Sequence, residues 1–344
     1  MDVAMKDKVA INWDKLTFSI TPTRSMYQAK CEIGKQWQSG KLIPYGDITL
    51  SPAAGVLNYG QGIFEGMKAF RTVKGNIGVF RPLENAKRIN QGCYRLCMPE
   101  IPEEMFMDAI IKVVRDNEDY IPPMGKGALY IRPIVWGTGP VLGVAPAPEY
   151  TFMIYVSPVG SYFKGALSGI NLKVMENYHR APQFGTGCVK AVGNYAASMR
   201  PAKFVKSEGF SEVVYLDARE EKYLEEVGSA NLFMIKGDTL ITPELTGSIL
   251  PGITRKSIVQ LAVEEFDFTA EERKIAVEEI FEADEMFCSG TATVITPINS
   301  ITYRDEKVVF SGGNVGEKTI KLYERLTSIQ NETGEDSHGW LKII

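Results

Sequence analysis

Lys190 lies in GTGCVKAVGNY, residues 185–195, a stretch with three glycines and no other charged residue. No Asp or Glu occurs between Glu176 and Glu208, so this lysine has no carboxylate near it in sequence. An amine on an apolar, glycine-rich segment can be desolvated, which lowers its pKa from about 10.4 and frees it as a Schiff-base nucleophile. The ordinary alternative is a solvated lysine on a turn. A second candidate is YLEEVGSAN, residues 223–231, where Glu225 and Glu226 run into a strand-like segment. If that strand is buried, one carboxylate is drawn inward to a cation; otherwise the pair is an exposed acidic turn. Two small-residue turns could hold an anion: LPGIT, residues 250–254, opens a helix whose Ile253 and Thr254 amides would be unpaired, and SGTAT, residues 289–293, offers amides and the Thr291 hydroxyl. Arg88 in an apolar-faced helix and Arg132 in YIRPIVW need partners if buried, and a structural ion pair is the plain explanation. Tyr59, Phe64, Tyr130 and Tyr162 are core packing by default, but an apolar wall is the other use of such rings. Together these are an amine, an acid, phosphate cradles and an apolar wall, the parts of a pyridoxal-phosphate enzyme.

Positioning them falls to a mixture of helices and strands. Leu83, Ala86, Ile89, Cys93 and Leu96 predict a helix over 83–98; Met107, Ile110, Ile111 and Val114 predict one face of a helix over 103–120. Residues 129–136, 150–156 and 213–216 read as strands, and 232–235 with 239–241 as a hairpin around Gly237-Asp238. Further helices are expected after Gly252, with Ile253, Ile258, Leu261 and Ala262 on one face, and over 316–330, with Ile320, Leu322, Tyr323 and Leu326 apolar. The class is therefore α/β or α+β. SPVGSYFKGALSGI, residues 157–170, is rich in glycine and small residues and marks the domain boundary. We expect a first domain over 1–160, a connector over 161–176 and a second domain over 177–344.

Composition narrows the alternatives. The chain has 344 residues and a net charge of −4 with no long basic run, which argues against nucleic acid or an anionic membrane as partner. No apolar run approaches the ~18 residues of a membrane span. Only His179 and His338 are present, too few for a His-rich metal site or a Ser-His-Asp hydrolase, and no metal is expected. Five cysteines without a CxxC pair read as reduced thiols. The opening MDVAMKDKVAINWD has the composition of neither a signal nor a transit peptide, so a cytoplasmic protein is expected.

Six motifs in order, GVLNYGQGIFEGMKAFR, YIRPIVWGTGPVLGV, GTGCVKAVGNYAAS, YLEEVGSANLFMI, ILPGITRKSI and EMFCSGTATVITP, make the chain closely resemble the branched-chain amino acid aminotransferases of the fold-type IV pyridoxal-phosphate class. The similarity runs from INWDKLTF to HGWLKI. It implies a smaller N-terminal domain, a larger cofactor-binding C-terminal domain, and reversible amino transfer between L-leucine, L-isoleucine or L-valine and 2-oxoglutarate. Lys190 matches the lysine that bonds covalently to pyridoxal 5'-phosphate, Tyr195 the tyrosine on its phenolic oxygen, and Glu226 the acid on its pyridine nitrogen. Arg88, Ile253, Thr254 and Thr291 match phosphate contacts, with Ser229 beside the cofactor. Tyr130 and the Thr291-Ala292 amides would hold the substrate carboxylate. Tyr59, Phe64 and Tyr162 would line the aliphatic pocket, with Arg132 at its mouth. Leu142 and Val144 match residues contributed by a neighbouring subunit, which implies a homodimer or higher oligomer. Where mammalian members carry a CxxC pair this chain has Thr293 and Thr296, and Ser229 replaces a threonine found in some members. Within the same fold class, a D-amino acid aminotransferase, an aminodeoxychorismate lyase or a non-catalytic pyridoxal-phosphate protein are the alternatives.

Overall fold

The computed structural model describes residues 11–160 and 167–344. Two units emerge, Met1–Tyr162 with Gln330–Ile344, and Phe163–Ile329. The expected second domain included 330–344, whereas these residues cluster with the first unit. The reason is a strand at the C-terminus, Leu341–Ile343, that pairs antiparallel with Ile77–Phe80, and Trp340, which lies under the Arg81 guanidinium at 4.7 Å. Residues 161–166 of the expected connector are outside the described residues, and Ile170–Met175 within it is a strand.

In the first unit, β1 (Ser25–Glu32), β2 (Lys41–Pro44), β3 (Gly62–Phe64), β4 (Met67–Arg71), β5 (Ile77–Phe80), β6 (Ala128–Gly137) and β7 (Glu149–Val159) join the C-terminal strand in one sheet. The longest pairing, β6 with β7, sets Tyr130 opposite Ser157 and Arg132 opposite Tyr155. Helix α1 (Gly55–Tyr59) precedes β3. Helix α2 (Pro82–Arg95) starts at a proline and buries Ala86, Ile89 and Cys93 at helical spacing. Leu83, expected on that face, is 47% exposed in the first turn. Helix α3 (Glu103–Asp116) has Glu103 and Glu104 at its start and Arg115 at its end, as the helix dipole favours. Its buried face is Phe106, Ala109, Ile110, Val113 and Val114, so Phe106 and Val113 take the places expected of Met107 and Ile111. Phe106 stacks on Phe152 of β7 at 5.9 Å, and that contact sets the helix's rotation.

The second unit contains β8 (Ile170–Met175), helix α4 (Val192–Ser207), β9 (Glu212–Leu216), β10 (Leu224–Val227), β11 (Ala230–Lys236), β12 (Thr239–Pro243), helix α5 (Ile253–Glu265), β13 (Thr269–Arg273), β14 (Glu285–Gly290), β15 (Val294–Tyr303), β16 (Glu306–Val309) and helix α6 (Glu317–Gln330). The sheet order β10-β9-β8-β15-β14-β11 closes on itself, because β10 also pairs with β11. A closed ring leaves no edge among these strands. Leu172, Val174, Val214, Leu232, Met234 and Ile298 belong to one buried apolar cluster on these strands. Between β9 and β10 the register slips: Leu224 faces Leu216 and Val227 faces Val214, three steps on one strand against two on the other. Such a bulge re-aims side chains. Here it falls on Glu225-Glu226.

Candidate active site

In the second unit, Lys190 ends a run of turns immediately before α4 and is half-buried. Its position is fixed by Asn194, whose Nδ2 donates to the carbonyls of Thr186 (2.7 Å) and Val189 (3.0 Å) while its Oδ1 accepts from the Thr186 hydroxyl at 2.6 Å. Asn194 is itself buried, so these bonds act away from solvent competition. One helical turn after Lys190, Tyr195 brings its hydroxyl within reach: Lys190 Nζ donates to Tyr195 Oη at 2.9 Å.

Both Glu225 and Glu226 are buried, at 6% and 2% exposure, so the exposed acidic turn is not what forms. Glu226 Oε2 pairs with Arg180 Nε. Its Oε1 accepts from Asn231 Nδ2 at 3.0 Å and from the Leu250 amide at 3.1 Å. Arg180 is buried within the same network, donating from Nη1 to the carbonyls of Gly187 (3.1 Å) and Ser248 (2.7 Å). Arg180, Asn194 and Asn231 are the residues that sequence reasoning missed. A charged residue at 180 in a segment without acids was the available signal for the first.

Helix α5 begins where expected, after Gly252, and no side chain caps it. Its first helical bond runs from the Lys256 amide to the Gly252 carbonyl at 3.0 Å, which leaves the Ile253 and Thr254 amides ahead of it as donors at the positive end of the helix. Gly252 admits no side chain, since a Cβ there would lie 2.0 Å from Asn231 Oδ1. Across the ladder, Glu226 faces Asn231, and Asn231 faces Ser289. Ser289 Oγ is buried with no hydrogen-bond partner. Thr291 and Ala292 follow in the three-residue turn from β14 to β15, which closes on Val294 at φ 66°. A β-branched residue in that region is strained, by about 1–3 kcal/mol, and such strain clusters at ligand sites. Ser229 is at the tip of the β10–β11 hairpin. An amine with a hydroxyl partner, an ion-paired buried acid, an uncapped helix start and an orphaned hydroxyl in line with that acid fit a phosphorylated pyridine aldehyde.

In the first unit, Arg132 Nη2 donates to Tyr130 Oη at 3.1 Å, and its guanidinium lies over the rings of Phe64 (4.7 Å) and Tyr130 (5.1 Å). Phe18 adds an edge-on contact to Tyr130 at 5.0 Å. Lys68 is directly opposite Tyr130 in the β4–β6 pairing, so both point to one side of the sheet. Desolvation pushes the Lys68 ammonium down to about 8. Phe64, Tyr130 and Arg132 therefore share one face. Tyr59 belongs elsewhere: its hydroxyl donates to the Leu142 carbonyl. Leu142 and Val144, on that loop, are 92% and 90% exposed. Arg88 forms a two-toothed ion pair with Glu65, Nε to Oε1 and Nη2 to Oε2 both at 2.7 Å, and Asn85 Nδ2 donates to the same carboxylate at 2.7 Å. Tyr162 lies outside the described residues.

Known proteins sharpen this picture. Residues 62–301 match the amino-transferase class IV family. A chloroplastic branched-chain-amino-acid aminotransferase 5 of Arabidopsis thaliana is 50% identical over 330 residues, covering 96% of this chain and 79% of that protein. A chloroplastic branched-chain amino acid aminotransferase 2 of Humulus lupulus is 51% identical over 330 residues, covering 96% and 81%. A methionine aminotransferase of Arabidopsis thaliana is 45% identical over 332 residues, covering 96% and 92%. Among solved structures, the Escherichia coli branched-chain amino acid aminotransferase superposes with a TM-score of 0.80 at 28% identity, covering 93% of this chain and 99% of that one. The branched-chain aminotransferase of the thermophilic archaeon Thermoproteus uzoniensis, solved with norvaline, gives 0.80 at 26% identity, covering 93% and 99%. The cytoplasmic expectation is overturned: several relatives of this likeness are named chloroplastic or mitochondrial. That expectation rested on the composition of one short opening segment, and such a segment does not fix where a protein resides.

Proposed function

This chain belongs to the amino-transferase class IV family, and from that premise we propose that it moves an amino group reversibly between L-leucine, L-isoleucine or L-valine and 2-oxoglutarate, using pyridoxal 5'-phosphate. The observation that carries the reading is the Lys190–Tyr195 contact at 2.9 Å in the same unit as buried Glu226 and the uncapped start of α5. The cofactor, when bound, supplies an aldehyde for the amine and a ring that accepts the electron pair left when a substrate Cα loses its proton. Lys190 is the base that takes that proton and returns it one position away. Tyr195 orients the lysine amine and offers its hydroxyl to the phenolic oxygen. Glu226, kept anionic by Arg180, holds a proton on the ring nitrogen. The Ile253 and Thr254 amides and Thr291 bind the phosphate, with Ser229 beside the ring and Arg88 as a further phosphate contact.

Tyr130, Thr291 and Ala292 are assigned to the substrate carboxylate, and Phe64 and Tyr162 to the aliphatic wall. Arg132 answers the side-chain carboxylate of glutamate. The exposed pair Leu142 and Val144, with Tyr59 tied to their loop, supports a homodimer in which this loop serves the neighbouring subunit. Sedimentation of the purified protein as a monomer would remove that assignment.

The test of the whole reading is Lys190→Ala. Transamination of leucine with 2-oxoglutarate should vanish, and borohydride reduction of the wild type should label the peptide bearing Lys190. Turnover of D-alanine in place of L-leucine would instead favour the D-amino acid alternative. Methionine belongs on the same substrate panel because of the methionine aminotransferase relative.

A further inference from the structure

The bulge in β10 puts two consecutive carboxyls on one short turn. Glu226 accepts from the Leu250 amide, and Glu225 Oε1 accepts from the Ser248 hydroxyl. Arg180 holds the Ser248 carbonyl at 2.7 Å and Asn231 holds the Leu250 carbonyl at 2.9 Å. Four buried side chains thus grip Ser248–Leu250, and two residues later the chain becomes the uncapped start of α5. Gly187, on the loop before Lys190, touches the same turn so closely that a Cβ would meet the Ser248 carbonyl oxygen at 2.1 Å. Any movement of Ser248 is therefore passed to both the helix start and the lysine loop.

We propose that Glu225 is a positioning residue that holds this turn, and through it the phosphate-binding start of α5, only while its carboxyl carries a proton. The inference rests on the cofactor reading above. Glu225 is 6% exposed, and its Oε2 is buried with no hydrogen-bond partner. The cation nearest in the network, Arg180, is committed to Glu226 and two carbonyls. From the end of β9, Asp217 spends its carboxylate on the amides of Arg219, Glu220, Lys222 and Tyr223. The remaining charges, Arg219, Glu220, Glu244 and Lys274, line a cavity of about 340 Å³ that Glu225 also borders. Lys274 faces Glu220 there at 3.5 Å. A charge on Glu225 would be buried beside a second carboxylate, with only the Ser248 hydroxyl and the already committed Arg180 to offset it. Burial accordingly lifts its pKa from 4.5 to about 7, against the pull of the Ser248 hydroxyl. Loss of the proton leaves two adjacent anions competing for Arg180, and the Ser248 carbonyl loses its donor.

The experiment follows release of pyridoxal 5'-phosphate from the purified holoenzyme by absorbance, in buffers spanning neutrality. Wild type should release the cofactor about fivefold or more faster on the alkaline side of pH 7, as a group of that pKa changes charge. Glu225→Gln keeps an acceptor for Ser248 without the titration, so the rise in release across pH 7 should be smaller than in the wild type, leaving what the cofactor phosphate and the lysine contribute. Thermal unfolding of the cofactor-free protein is the second readout. The folded pKa is raised, so the native state holds the extra proton between about 4.5 and 7, and stability falls as pH rises through that window. Glu225→Gln should flatten that slope. A wild type that takes up no pyridoxal 5'-phosphate overturns the cofactor reading and this inference with it. A wild type that takes it up, beside a Glu225→Gln protein with unchanged pH dependence in both readouts, overturns the role of Glu225 alone.

Discussion

The acid on β10 and the cations on β4 and β6 are charged groups managed in opposite ways. Glu226 is 2% exposed and answered by Arg180, Asn231 and a backbone amide, inside a strand ring that closes on itself. Arg132 is laid across the faces of Phe64 and Tyr130, with Lys68 desolvated on the same side. A group that must keep one charge state through every turnover is locked by fixed partners. Under the proposed function, Arg132 must meet an aliphatic side chain in one half-reaction and a carboxylate in the other, and a cation set on rings suits both. On that proposal, the contrast is between chemistry common to all substrates and recognition that alternates.

Breaking the locked side should give the largest effects. Glu226→Gln should slow transamination by about 10²–10⁴-fold, read by stopped-flow absorbance. It leaves Arg180 buried without its anion, so a urea titration should show a loss of about 3–5 kcal/mol. Next comes Asn194→Ala, which removes the three bonds fixing the Lys190 loop; a loss of about 1–3 kcal/mol in the same titration is expected, with reduced cofactor uptake. On the adaptable side, Arg132→Met should weaken 2-oxoglutarate and glutamate more than leucine, by about 1–3 kcal/mol in kcat/KM. Equal losses for both would collapse the distinction drawn above. Smaller still is the titration of Lys68. Its ammonium is lost as pH rises through about 8, so dicarboxylate KM should climb across that value and Lys68→Met should abolish the climb. The smallest change is Val294→Asn, which tolerates φ 66° and should raise the melting temperature slightly.

By themselves Lys190 and Glu226 were no more than candidates, since a solvated turn lysine and an exposed acidic turn were the plain alternatives; the six motifs in order are what singled them out. Arg180, Asn194 and Asn231 were missed. A cation in a segment without acids was a signal for Arg180, but its contact with Ser248 spans 68 positions. Asn194 and Asn231 bond groups five to eight residues away, and an amide side chain carries no charge to mark it. The rotation of α3 was misread because Met107 and Ile111 are as apolar as Phe106 and Val113, so periodicity cannot choose between two neighbouring stripes. The helix start after Gly252 was readable because Pro251-Gly252 acts on the backbone itself, whereas α2 was read from its apolar spacing and begins one residue earlier, at Pro82. The bulge in β10 and the return of 330–344 depend on pairing partners, which a single strand's sequence does not name.

That returning strand has a consequence for synthesis. Among the described residues the outer flank of β5 pairs with Leu341–Ile343, and the Ile344 amide adds a last bond to the Ile77 carbonyl at 3.0 Å. During translation, Ile77–Phe80 leaves the ribosome about 260 residues before its partner, at about 5–20 residues per second. For that interval the nascent sheet has an open flank able to recruit strands from other chains. The unit that starts first receives its last strand at the end of synthesis, so chaperone demand should peak while the other unit is being made.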